Sequence, residues 1–117
     1  MQNKRFYTRY RINADTRIGT LDGKVYKGEL VDLSAEGARV RLYDIPELNQ
    51  GDIVYLLIKF KTYNFKAKAK AEVRWVKADK FMEMGLKFIE MTIADRQVLS
   101  EILTEIAMAS LEDIFLR

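Results

Sequence analysis

Cysteine and histidine are both missing from this 117-residue chain. Without cysteine there are no disulfides, thiolate metal sites or thiol nucleophiles, and a reducing compartment is compatible though not required. Without histidine the commonest general base and the commonest metal ligand are gone, leaving carboxylates, lysines and tyrosines for proton transfer. Phosphate-loop and dinucleotide-fold glycine patterns are lacking too, and the scattered carboxylates suggest neither a metal cluster nor a paired acid-base arrangement. The expectation is a non-enzyme with no metal and no cofactor. No apolar run approaches the ~20 residues of a membrane helix, and Met1 to Arg5 lack a secretory signal's apolar stretch, so a cytoplasmic protein without membrane insertion is expected. Proline occurs once, at Pro46, and no repeat or low-complexity linker divides the chain, which reads as one domain over 1–117.

What is present is unevenly distributed. The net charge is only +3, yet Lys4, Arg5, Arg9 and Arg11 make the first eleven residues purely basic, while Asp95 to Arg117 holds five acids against two bases. A basic arm over 1–12 suits an anionic partner. Period-two alternation then governs 13–91 and predicts strands over Asn13–Thr20, Lys24–Asp32, Ala38–Tyr43, Asp52–Phe60, Phe65–Trp75 and Met82–Glu90. The clearest is Phe65–Trp75, where Phe65, Ala67, Ala69, Ala71, Val73 and Trp75 share one face and Lys66, Lys68, Lys70, Glu72 and Arg74 the other. On that pattern Trp75 belongs to the core and the lysine row to a solvated face. Turn chemistry at Asp22-Gly23 and Asn49-Gln50-Gly51 separates strands, and short connections predict a mainly β chain closed into a six-stranded antiparallel barrel.

Helical spacing takes over in 92–117. Thr92 with Asp95 three residues on is a capping-box variant, and Val98, Leu99, Ile102, Leu103 and Ile106 form an apolar stripe suited to covering the barrel. Two outcomes stay open beyond Ala107. A continuing helix projects Met108, Leu111 and Phe115 from the opposite side; a break capped at Ser110 turns them inward.

Two short motifs carry the chemistry. Arg5 and Arg9, four apart in an open segment, can fork onto phosphate oxygens or stack on a base. Asp32, Ser34 and Gly37 fall at a turn between two predicted strands, where Asp32 offers an acceptor for base N–H groups, Ser34 a short donor and acceptor, and Gly37 a position without Cβ. Singly, each has an ordinary structural reading: solvated arginines, and a turn satisfying its own backbone. Jointly they read as an anion-and-base site.

With RxxxR at Arg5 and Arg9, DxSxxG at Asp32, Ser34 and Gly37, the Val73-Arg74-Trp75-Val76 strand, and Met84-Gly85-Leu86-Lys87-Phe88 before a final helix, the chain resembles a PilZ domain almost end to end. The resemblance implies a six-stranded PilZ-type β-barrel with a C-terminal α-helix, and a bacterial receptor for cyclic di-GMP. It implies that Arg5 and Arg9 take the phosphates and guanine faces, that Asp32 and Ser34 contact the ligand from the barrel, and that Gly37 permits close approach. Lys4, just before the first arginine, is at the position associated in the family with how many ligand molecules bind, and Arg11 could assist. Arm closure on the ligand would signal to a protein partner of, for example, flagellar or polysaccharide-synthesis machinery, in motility or biofilm regulation. The alternative is a PilZ-like interaction adaptor acting through its C-terminal helix, including self-association, with weak or no nucleotide binding. A third reading, single-stranded nucleic-acid binding through Lys59, Lys61, Lys66, Lys68, Lys70 and Arg74 with Tyr63 and Phe65, is disfavoured because Phe65 lies opposite the lysines; no DNA or RNA partner is expected.

Overall fold

The computed structural model describes the backbone of residues 10–115 and the side chains of 10–109. Within them are six strands and one helix: β1 Ala14–Gly19, β2 Val25–Leu33, β3 Gly37–Leu42, β4 Ile53–Phe60, β5 Phe65–Ala78, β6 Met82–Glu90 and α1 Ile93–Phe115. The strands close a barrel in the order β1-β2-β3-β6-β5-β4, every pairing antiparallel. Closure leaves no free sheet edge along most of the barrel, which a small β domain otherwise has to shield. The β1–β2 hairpin turns at Asp22-Gly23, with Gly23 at φ 88° and the Thr20 N–H donating to the Lys24 carbonyl at 2.9 Å.

The alternation of apolar residues builds the interior. Ile18, Leu33, Val40, Leu42, Val54, Leu56, Ile58, Phe60, Val73, Met84 and Leu86 are all buried within it. β5 is the longest strand because it serves two neighbours in turn, pairing with β4 from Phe65 to Glu72 and with β6 from Lys70 to Ala78. Where β6 has ended, the unpaired Lys68 N–H donates instead to the Asp95 carboxylate of α1 at 3.2 Å. The expected cap is therefore half realised. Thr92 does receive the Asp95 N–H at 3.1 Å, but the acid ties the helix to β5.

Leu99, Ile102 and Leu103 of α1 are buried against the barrel, with Val98 and Ile106 packed beside them, as the apolar stripe predicts. The helix does not break near Ser110; it continues to Phe115. No glycine or proline interrupts 93–115, and Ser110 as a cap is outweighed by helix-favouring neighbours on both sides. Met108 is exposed.

Three register shifts interrupt the ladders, one near the end of β6 opposite Lys70 and Ala71 and two at residues inserted in β2 and β5. The β2–β3 register shifts between Leu30 and Asp32, and the β5–β6 register between Val73 and Trp75. Each inserted residue reverses the faces that follow. Asp32 thereby stands opposite Arg39 on the outer face while Leu33 turns in. Trp75 likewise leaves the interior, being 40% exposed, so its assignment to the core is corrected.

Candidate functional site

The Asp32–Gly37 hairpin loop is held by its own polar groups. The Ser34 N–H donates to the Gly37 carbonyl at 2.9 Å, the Ser34 hydroxyl reaches the same carbonyl at 3.4 Å, and the Glu36 N–H donates to that hydroxyl at 3.4 Å. Ser34 is 1% exposed, so its hydroxyl is committed to the turn. Gly37 is glycine for a reason that needs no ligand: a Cβ there would fall well inside 3.0 Å of the Leu86 backbone carbonyl oxygen across the β3–β6 ladder. The loop is clamped on its other side by the Phe88 N–H, which donates to the Glu36 carbonyl at 2.8 Å.

Asp32 heads a ladder of alternating charge across the outer faces of β2, β3 and β6. Its carboxylate pairs with Arg39 at 2.7 Å, Arg39 reaches Glu83 at 3.4 Å, and Arg41 bridges Glu83 at 3.5 Å and Glu29 at 3.6 Å. Arg41 also lies over the Phe81 ring, 4.6 Å from its centre, a cation–π contact. At the far end the Tyr43 hydroxyl donates to Glu29 at 3.0 Å, and that bond to a carboxylate pushes the phenol's pKa up. Asp32, only 6% exposed, is thus a buried carboxylate fixed in place by its ion pair with Arg39.

Arg5, Arg9 and Lys4 lie outside the described residues. The chain that follows Arg9 does not. Tyr10 forms an isolated antiparallel bridge with Leu33, the Tyr10 N–H donating to the Leu33 carbonyl at 2.8 Å and the Leu33 N–H to the Tyr10 carbonyl at 2.9 Å. Residue 10 is therefore fastened between Asp32 and Ser34, one residue after the second arginine of the motif. Arg11 is exposed.

A groove of about 180 Å³ opens beside the loop, lined by Glu36, Gly37, Arg74, Trp75, Leu86 and Lys87. The Trp75 indole lies over Gly85, where a Cβ would collide with the ring. Arg74 is exposed next to it and pairs with Glu72 at 2.9 Å. An aromatic face with Arg74 and Lys87 in the same lining can stack a planar base and balance anionic oxygens. Inspection of alternation alone misses Trp75. Its signal is the pair Trp75-Val76, two apolar residues in succession where one should be polar. Among the described residues no group of three or more His, Cys, Asp or Glu could hold a metal ion, and no helix is long and apolar enough to cross a membrane.

Sequence comparison matches the family described as PilZ domain over residues 3–105. No curated protein matches. Among solved structures, MotI/DgrA, described as an inhibitor of motility of Bacillus subtilis, superposes with a TM-score of 0.79 at 21% identity, covering 92% of this chain and 53% of that one. The PilZ domain of YcgR from Escherichia coli, solved with c-di-GMP, gives 0.75 at 15% identity over 96% of this chain and 98% of that one. MrkH of K. pneumonia in its c-di-GMP complex gives 0.79 at 14% identity over 96% and 55%. The chain spans about half the length of MotI and MrkH, and at these identities the likeness is one of fold.

Proposed function

The chain belongs to the PilZ domain family, and on that footing we propose that it is a receptor for cyclic di-GMP, bound where the segment carrying Arg5 and Arg9 meets the Asp32–Gly37 loop. The observation that carries the reading is the Tyr10–Leu33 bridge. It fastens Tyr10, the residue after Arg9 in sequence, to Leu33, the residue between Asp32 and Ser34, and so supports the reading that the two motifs act on one ligand. YcgR and MrkH, of the same fold, are described with this ligand.

In this reading Arg5 and Arg9 fork onto the phosphates and stack on a guanine, while the Asp32 carboxylate accepts guanine N–H groups. Ser34 and Gly37 hold the loop in the shape that presents Asp32, so the part of Ser34 in binding is to position the loop through its bonds to Gly37 and Glu36. Trp75 and Arg74 add a stacking surface at the loop's flank. Lys4 and Arg11 supply further positive charge. Binding needs no covalent chemistry: the dinucleotide's greater affinity for the arm-closed form shifts the population toward it, and the combined surface is then offered to a downstream protein. Isothermal titration of cyclic di-GMP into wild type, Arg9→Ala and Asp32→Ala tests this. Saturable binding weakened by both changes is expected. No binding by wild type at micromolar ligand would reject the receptor assignment, and binding indifferent to both changes would move the site elsewhere.

A further inference from the structure

The lysine row of β5, which sequence pattern assigns to a solvated face, borders a groove of about 760 Å³ whose lining does not include the Asp32–Gly37 loop. Register sets its rows. Arg17, Leu57 and Lys68 lie side by side across β1, β4 and β5, and Gly19, Tyr55 and Lys70 form the next row. Gly19 contributes no side chain, so the wall is low there; Tyr55, 52% exposed, and Val25, 66% exposed, stand beside it with Met91 at the end. The groove is apolar at its base and cationic at its rim. Arg17 donates to the carbonyl of its neighbour Thr16, and the one acid in the lining is Glu90.

The distal part of α1 has the opposite character. Between Arg96 and Arg117 the sequence contains Glu101, Glu105, Glu112 and Asp113 and no lysine or arginine. Glu101 and Glu105 are exposed, Met108 is 53% exposed, and Ile106 is the last described side chain packed on the core. At 1.5 Å per residue, the nine residues from Ile106 to Phe115 extend the helix by about 13 Å past that contact. The chain cannot fill its own groove with this segment. Leu99, Ile102 and Leu103 fix the first half of the helix to the barrel, and without glycine or proline the second half has no hinge at which to turn back.

We propose that the β1–β4–β5 groove receives the distal half of α1 from a second copy of this chain, the exposed Glu105 toward Arg17, Lys68 and Lys70 and the exposed Met108 over Leu57 and Tyr55. Because each copy carries both the groove and the helix, reciprocal insertion closes a two-fold dimer. Apolar contact supplies the affinity, and the charges fix register and orientation.

Sedimentation velocity with light scattering on the full chain, without ligand and over a wide range of concentration, tests the pairing. The expected wild-type result is a monomer–dimer equilibrium that weakens as salt is added. The variant Lys68→Glu/Lys70→Glu, and separately Glu105→Lys/Glu112→Lys, should each remain monomeric with unchanged melting, since the altered side chains with described positions are exposed or half-exposed. Mixing the two variants should restore a dimer containing one of each. A wild type that stays monomeric overturns the proposal, as does a dimer surviving in either variant or two variants that fail to pair on mixing. If a variant melts differently, Tyr55→Glu in the groove wall replaces it, with loss of the dimer expected and its persistence refuting.

Discussion

Replacing Gly37 by alanine separates two reasons for a glycine in the DxSxxG loop. If the residue is glycine to let a ligand approach, the substitution costs affinity and leaves the fold alone. The geometry argues otherwise. The added Cβ falls well inside 3.0 Å of the Leu86 carbonyl oxygen, whereas even the close C–H···O contacts of sheets keep about 3.3 Å. The obstacle is backbone, not a side chain that can swing aside. Gly37 can retreat from β6 only by stretching the Ser34 N–H bond to its own carbonyl or the Phe88 N–H bond to Glu36. Overpacking of this kind costs about 1–3 kcal/mol, and a buried backbone group left without its bond about 1–3 kcal/mol more. A total near ~3 kcal/mol, at roughly 4 °C per kcal/mol for a domain of this length, lowers the melting temperature by about 12 °C. Thermal unfolding followed by circular dichroism and by tryptophan fluorescence measures it, with coincident transitions as the check on two-state behaviour. An unchanged melting temperature accompanied by lost cyclic di-GMP binding would refute the packing argument and return Gly37 to the ligand.

Thr16 is fully buried and its hydroxyl has no hydrogen-bond partner among the described residues, so Thr16→Val should stabilise the fold by ~1 kcal/mol in chemical denaturation. Trp75 is the sole tryptophan, which makes its emission a direct report on the groove: ligand should quench it, and Trp75→Ala should weaken binding by the ~1–3 kcal/mol of a stacked base. Arg39→Gln removes the 2.7 Å partner of Asp32 and should lower affinity about tenfold, or ~1.4 kcal/mol, while Arg41→Gln, one rung further along the ladder, should lower it less. The Thr20 hydroxyl donates to Asp22 and holds its carboxyl below the ordinary aspartate value. A depressed carboxyl favours the folded hairpin above its unfolded pKa and loses that contribution as pH falls through the folded value, so Thr20→Val should raise the Asp22 midpoint in an NMR titration.

Strand positions and barrel closure were legible because the signal is repeated. Each of the six strands begins and ends within a few residues of its predicted bounds, since alternation, Asp-Gly and Gln-Gly turns and β-branched residues all point the same way. The apolar stripe from Val98 to Ile106 was legible for the same reason. What escaped was local. A bulge is a single inserted residue chosen by the partner strand, and pairing partners are not written in the strand's own sequence. Alternation alone therefore inverts the faces of residues beyond Val73 and sends Trp75 to the core. Helix continuation past Ser110 was undetermined because Ser110-Leu111-Glu112-Asp113 reads equally as a cap or as helix interior. Alternation is enough to turn the lysine row outward, but its neighbours depend on β1 and β4, which place Arg17, Leu57 and Tyr55 alongside.

The bulges in β2 and β5 bear on function because of where they occur. One immediately precedes Asp32 and the other immediately precedes Trp75, the fixed carboxylate and the aromatic face of the proposed ligand site. A barrel with uninterrupted alternation would turn both side chains inward, burying a carboxylate among apolar residues at a cost of several kcal/mol and overfilling the interior with an indole. The inserted residues keep both side chains out of the barrel interior, Asp32 against Arg39 and Trp75 in the groove beside the loop, while Tyr10 is bridged to Leu33 at the start of that loop. β5 then carries two separate surfaces: before its bulge Lys68 and Lys70 rim the large groove, and after it Arg74 and Trp75 flank the loop. Deleting Arg74, the residue inserted at the β5 bulge, should therefore leave groove-dependent association intact while abolishing the ligand-induced change in tryptophan emission. Simultaneous loss of association in a folded deletion variant would show that the two halves of the strand are not independent.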